Sequence, residues 1–286
     1  MTKRILTSIA LILIFVPLTI LGNWFYTSMV MVIAYLAGYE MLNALEKKNS
    51  SFYKLKYIAP LWNSFTVLTY FWAPEYFLGV VIFGIVTFMI LAIINKNLKM
   101  DTVLCLVFTY IYTGLLLTFA FMLRKPLDGK ENIIDFSNSF YLFGMLISIT
   151  CATDVGAFVI GSLFGKKKLC PTISPNKTVG GFIGGLVCAV ILSSAWYFFF
   201  KYCLYKTSIL GIGDLNIALE ILIVIIVSTV VSLFAQLGDL IASKIKRECG
   251  IKDYSNLMPG HGGIMDRFDS LILAGSIFFA ICVLFF

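Results

Sequence analysis

The sequence predicts an all-α, polytopic integral membrane protein of about nine transmembrane helices, with its amino terminus in the cytoplasm. Three observations predict it. Of 286 residues, 60% are hydrophobic and only 13% charged, whereas roughly a quarter of a soluble domain is charged, and the mean hydropathy is +0.95. The apolar residues come in blocks of about 17 to 25, the length that crosses a hydrocarbon core of about 30 Å at 1.5 Å per residue. The basic residues are also segregated. With nine helices, the amino terminus and the loops after the even-numbered helices share one side, and of the 22 Lys and Arg only Arg124, Lys125, Lys130, Lys201 and Lys206 fall on the other. The positive-inside rule puts the richer side in the cytoplasm.

The blocks run approximately from Ile5 to Gly22, Thr27 to Leu45, Tyr57 to Ala73, Tyr76 to Asn95, Thr102 to Leu123, Phe140 to Phe164, Gly180 to Phe200, Leu215 to Ala242 and Leu271 to Phe286. Backbone amides in lipid must be satisfied within the segment, and blocks this long without alternation exclude a barrel, so each is read as a helix. Lys3 and Arg4 before the first block resemble the start of a signal peptide. The exit Leu21-Gly22-Asn23-Trp24 has no small-residue cleavage site, so the block is kept as an uncleaved helix. Residues 1–140 hold membrane helices 1–5, and residues 141–286 hold helices 6–9 with their cytoplasmic loops. No internal repeat or low-complexity linker separates them, and one continuous membrane domain is expected. No two of the 7 cysteines are spaced as a zinc or redox pair, and they are read as small core residues. A net charge of +7 concentrated on the cytoplasmic side suits anionic lipid headgroups or a nucleotide.

Three places break the apolar pattern at a cost the bilayer makes high. Asp154 lies in the sixth block, and a carboxylate at depth needs a partner or a wet cavity. It is a functional candidate, against the plainer reading of an interhelical bond that fixes packing, with Thr153 and Ser148 near enough to serve it. The second place is Lys166–Gly181. Pro171 and Pro175 hold the chain extended there, Thr178 is placed to cap the seventh helix, and Ser174, Lys177 and the free amides at the helix start would form an anion site. The Lys166–Lys168 run also reads as ordinary positive-inside charge. The third place is Gln236–Asp269. At helical spacing Gln236, Asp239, Ser243 and Lys246 share one face, with Arg247 beside them. Lys252 and Asp253 follow. The glycine-rich turn Pro259-Gly260-His261-Gly262-Gly263 lets backbone approach a ligand closely. Asp266 and Asp269 then fall on one side of the first turn of the last helix, with Arg267 between them. Carboxylates from two helix ends among lysines and arginines suit a magnesium-bound triphosphate, since the metal takes hard oxygens and the cations offset phosphate charge. His261 reads equally as a phosphate contact, an acid, or a ring bonded to its own loop.

The third stretch resembles the phosphatidate cytidylyltransferase family, also called CDP-diacylglycerol synthases. Their signature is matched by Ser243, Lys246-Arg247, Lys252-Asp253, Ser255, Pro259, His261-Gly262-Gly263 and Asp266-Arg267-Phe268-Asp269, about a dozen specified positions over 27 residues. The Asp154 segment, Ile173-Ser174-Pro175-Asn176-Lys177-Thr178 and Gln236-Leu237-Gly238-Asp239 also look like family elements, so the resemblance covers the chain from about residue 150 onward. Met258 stands where Leu, Ile or Phe is usual, and Gly180 where Glu or Gln commonly follows Lys-Thr. The resemblance implies transfer of the cytidylyl group of CTP to phosphatidic acid in the membrane, for phospholipid biosynthesis. It also implies magnesium, with potassium as a helper cation. By the same resemblance Asp239 and Asp266 are metal ligands and Asp269 a third carboxylate. Lys246, Arg247 and Arg267 would bind phosphate, and Asp154 would complete the cavity wall. Ser174, Lys177, Thr178, Ser243, Lys252, Asp253, His261, Gly262 and Gly263 fall to the substrates. A bacterial inner membrane with the site facing the cytoplasm is expected, with no nucleic acid as partner. Whether two copies pair is left open, since no surface signal decides it.

A polytopic transporter is the rival, because Asp154 and the polar stripe of the eighth helix could line a path. Against it, the polar residues gather toward one face and the first half carries no matching repeat. The phosphotransferases that consume CDP-diacylglycerol begin their metal motif with Asp-x-x-Asp-Gly, which is absent here. A purely structural membrane protein would have no use for the ionic segment around Asp266.

Overall fold

The computed structural model describes residues 2–48, 55–95, 98–124, 136–205, 216–258, 260 and 262–285. Its helices follow the apolar blocks in order. They are α1 (Thr2–Leu21), α2 (Asn23–Glu46), α3 (Leu55–Trp72) and α4 (Phe77–Ile94). Next comes α5 (Met100–Thr109), which passes through a π-helical turn at Tyr110–Leu116 into α6 (Leu117–Met122). Then follow α7 (Phe136–Phe164), α8 (Val179–Phe199) with a π-helical end at Phe200–Tyr205, α9 (Ile217–Glu248) and α10 (Met265–Phe285). Counting α5 to α6 as one run, each of the nine apolar blocks coincides with a helical run among the described residues. Seven of these runs are long and apolar enough to cross a membrane by length and composition. The other two are α1, whose Ile9–Leu21 forms a shorter apolar helix, and α3, whose apolar sequence is interrupted by Asn63, Ser64, Thr66 and Thr69.

The chain breaks where its residues require it. Gly22, at φ 66°, takes a left-handed conformation that separates α1 from α2. Pro74 opens a short 3-10 turn between α3 and α4. The stretch expected to be extended before α8 closes into an antiparallel hairpin, β1 (Lys168–Cys170) with β2 (Ser174–Thr178), the one exception to an all-helical fold among the described residues. Thr178 ends the hairpin and caps α8. Its backbone is extended, and its hydroxyl accepts the Gly181 amide at 3.1 Å, which satisfies one of the donors a helix start leaves open.

The chain forms two compact units, one of Met1–Thr118 with Ile245–Phe268, the other of Phe119–Lys244 with Asp269–Phe286. In the first, Leu42, Ala59, Val81, Phe88, Leu106 and Tyr110 make an apolar core. Asn63 crosses it, donating to Ala34 O at 3.2 Å and Thr113 Oγ1 at 3.0 Å, and so ties α3 to α2 and to the π-helical turn. In the second unit α7 and α8 lie against each other through glycine. A Cβ on Gly156 would meet Cys188, and one on Gly181 would lie 2.6 Å from Ala157 O, the close backbone approach that small residues allow between membrane helices. Helix α9 is tied to α7 by Thr153 and Ser232, whose hydroxyls are 2.7 Å apart, and to α8 by Gln236 Nε2 donating to Phe182 O at 3.2 Å. Near the other end of the α8 run, Tyr197 and Lys201 both donate to the buried carboxylate of Glu220. The cysteines are all free, and burial pushes the Cys249 thiol up, which suits an inert packing role.

Replacing Asn63 by Ala removes two interhelical bonds from the first unit. Thermal unfolding in detergent should show a loss of about 1 kcal/mol, and an unchanged midpoint would mean that the network contributes nothing.

Candidate active site

In the second unit four elements bring polar groups together. Asp239, on α9, accepts Lys177 Nζ from β2 at 2.7 Å on one oxygen and Ser243 Oγ, one turn along α9, at 3.2 Å on the other. The pair is partly open, with 26% of the Lys177 side chain and 31% of the Asp239 side chain exposed. Gly238, the residue before Asp239, meets the α10 backbone so closely that a Cβ there would lie 2.5 Å from Asp269 O. The glycine of Gln-Leu-Gly-Asp thus brings the chain around Asp239 beside the start of α10. On α10, Asp269 Oδ1 accepts the Ser270 amide at 2.8 Å, and Ser270 Oγ reaches toward Asp154 Oδ2 on α7 at 3.5 Å. Asp154 is exposed although it lies well inside a 29-residue apolar helix, so a polar surround is needed there.

In the first unit Asp266 is the organiser. Its Oδ1 accepts Lys246 Nζ at 2.8 Å, and its Oδ2 accepts the amides of Tyr254 and Gly263, each at 2.9 Å. Only 12% of the Lys246 side chain and 5% of the Asp266 side chain are exposed, and the ammonium also lies 5.4 Å from the centre of the Tyr254 ring, a favourable place for a cation. Between these anchors the signature loop turns back on itself. Met258 N donates to Gly262 O at 2.9 Å, and Gly260 and Gly262 take φ of 81° and 82°, a region that side chains rarely adopt. His261 lies outside the described residues, as does Pro259. Lys252, Asp253, Arg247 and Arg267 are exposed, and Arg247 Nη1 approaches Ile251 O at 3.5 Å.

Glu40 is not among the residues the sequence singles out. It is a buried carboxylate on α2 that accepts Ser255 Oγ at 2.6 Å, Ile264 N at 3.0 Å and Met265 N at 2.8 Å. The rule that flags Asp154, a charge inside an apolar block, covers Glu40 equally. A Cβ on Gly263 would strike this carboxylate, so that glycine has an internal reason to be small.

Among the described residues no three acidic, histidine or cysteine side chains gather closely enough to hold a metal unaided. Magnesium does not require this, since it usually takes one or two carboxylates and completes its shell with water and phosphate. Asp239 fits that use. It offers hard oxygens, is partly exposed, and accepts two donors where a carboxylate has about four acceptor positions. Asp266 fits less openly, because it already accepts three.

A family model described as "Cytidylyltransferase family" matches residues 2–285. The chain belongs to the cytidylyltransferase family. It is similar to the phosphatidate cytidylyltransferase of Staphylococcus haemolyticus (strain JCSC1435), with 34% identity over 281 residues that make up 95% of each chain. The protein of the same name from Staphylococcus saprophyticus (strain ATCC 15305) is 32% identical over the same length and share of each chain. That of Staphylococcus aureus (strain COL) is 38% identical over 178 residues, 62% of this chain and 58% of that one. Membership of the cytidylyltransferases therefore extends to the amino-terminal half, where the motifs do not reach. A cytidylyltransferase must offset the charge of a triphosphate, and lysines are cations of the kind that bind phosphate oxygens.

The two pairs should differ in weight. Lys246→Met leaves Asp266 buried without its cation and should cost about 3 kcal/mol, while Lys177→Met at the more open pair should cost about 1 kcal/mol or less. Unfolding midpoints of the two variants in detergent test this, and the reverse order would contradict the burial argument.

Proposed function

We infer that this chain transfers the cytidylyl group of CTP to phosphatidate, leaving CDP-diacylglycerol in the membrane and releasing pyrophosphate. The observation that carries the reading is similarity over 95% of the chain to proteins named for that reaction. Family membership leaves the transporter reading without support. Phosphatidate keeps its acyl chains in the leaflet and its phosphate at the interface, while CTP arrives from water. The excess of basic residues on the amino-terminal side supports a site that faces the cytoplasm of a bacterial inner membrane.

A phosphate oxygen of phosphatidate attacks the α-phosphorus of CTP. The bond from that phosphorus to the bridging oxygen of the β-phosphate breaks, and pyrophosphate leaves with the electron pair. A phosphate monoester is already an anionic nucleophile near neutral pH, so no strong base is required, and the protein supplies in-line placement and charge neutralisation. Lys177 and Lys246 turn from their aspartates to phosphate oxygens, and the exposed Arg247 and Arg267 add charge toward the leaving group. Ser174 and Thr178 orient substrate phosphate beside the start of α8, Ser243 steadies Asp239, and Asp154 with Ser270 keeps a polar wall within α7 and α10. Asp239, Asp266 and Asp269 are the carboxylates that would hold magnesium, which would supply charge neutralisation as pyrophosphate forms. Lys252, Asp253, Gly262, Gly263 and His261 belong to the loop that meets the nucleotide. Potassium is assigned as an auxiliary cation.

Purified chain given labelled CTP and phosphatidate in mixed micelles should form lipid-linked label with equimolar pyrophosphate, and only with magnesium. No lipid-linked label under any metal condition would overturn the reaction. Asp239→Asn and Asp266→Asn should each lower turnover by about a hundredfold or more while the protein stays folded. Wild-type rates in either would remove its metal role.

A further inference from the structure

We infer that Glu40 is a positioning residue for the transfer reaction. From the second helix its carboxylate sets the first turn of α10, and so aims Asp266 and the lysine that Asp266 holds. This rests on the reading above in which Asp266 and Lys246 serve the reaction.

Glu40 is 2% exposed. Its Oε1 accepts Ser255 Oγ and Ile264 N, and its Oε2 accepts Met265 N. Met265 is the first residue of α10, and amides at a helix start have no partner inside the helix. A carboxylate there supplies the missing acceptors, and its charge suits the positive end of the helix. The partners are 215 to 225 positions away in sequence, so this is a tertiary clamp and not a local cap. Gly263 sits between the two carboxylates. Its amide is held by Asp266, and the space a side chain would take is filled by Glu40. A displacement at Glu40 therefore passes through Gly263, Ile264 and Met265 to Asp266 within three residues.

A residue that only stabilises the fold would lower the yield or unfolding midpoint and leave the turnover of surviving protein unchanged. A positioning residue lowers kcat per folded molecule, leaves KM for CTP nearly unchanged, and is partly rescued by an isosteric acceptor. The test uses the full chain in mixed micelles with CTP, phosphatidate and magnesium, with rates per mole of folded, monodisperse protein. Glu40→Ala should lower kcat by about a hundredfold, the loss expected when a reacting group is displaced by about 1 Å. Glu40→Gln keeps one oxygen and should retain about a tenth of wild-type kcat. Gly263→Ala should also lower kcat, because its methyl pushes on the carboxylate. Combined with Glu40→Ala it should do no further harm, since the methyl then occupies vacated space.

Wild-type kcat in Glu40→Ala, a change confined to KM, or a double variant whose loss is the product of the two singles would each overturn the inference. Should Glu40→Ala not fold, wild-type kcat in both Glu40→Gln and Gly263→Ala would overturn it as well. Failure of the underlying reaction reads differently, because the wild-type chain itself would then yield no lipid-linked product.

Discussion

A carboxylate held away from water must be matched by donors, and in a chain this apolar that requirement does much of the positioning. Glu220, Glu40, Asp239 and Asp266 each meet it in a different way. Glu220 accepts a tyrosine and a lysine from the α8 run. Glu40 takes backbone amides at the start of α10. Asp239 and Asp266 each take one lysine and, beyond it, a hydroxyl or two amides. Leaving one of the three buried acids, Glu220, Glu40 or Asp266, unmatched would cost several kcal/mol in the low-dielectric interior, so the partners are held in place by the acids they satisfy. The groups that position the chain are thus the same kind of groups that can receive a phosphate and its metal.

The helical architecture was legible because lipid allows few alternatives. Block length and the lack of alternation suffice to place every helical run, and Thr178 was recognisable as a cap from its place after an extended Pro-containing stretch. The hairpin at Lys168–Thr178 was not, since two short strands of mixed polarity carry no periodic signal. The π-helical turns at Tyr110–Leu116 and Phe200–Tyr205 were also hidden. Each begins in residues that read as ordinary helix, and in the first the wider turn accompanies a Gly114 that packs against Asn63.

The site was half legible. The residue types and spacings of Gln236–Asp269 announce ionic chemistry, and within that stretch Lys246 is paired with Asp266. Which lysine pairs with which acid could not be read, because Lys177 and Asp239 are brought together by tertiary packing of a hairpin against α9. Glu40 could have been flagged as a charge inside an apolar block, but its partners could not, being more than two hundred residues away. The glycines of the loop show how one residue type serves two ends. Gly262 is needed for its backbone angle, whereas Gly263 makes room for a carboxylate of the protein itself.

The ties between the α8 region and α9 have a mechanical consequence. Glu220 and Asp239 stand 19 residues apart on one helix, a rise of about 28 Å, close to the thickness of the hydrocarbon layer. One tie is centred on a buried carboxylate and fastens the far ends of the two helices. The other is a half-open ion pair that an anion can undo. Water reaches the ion pair more readily than the Glu220 cluster, so loosening the α8 region from α9 costs less at the Asp239 end than at the Glu220 end.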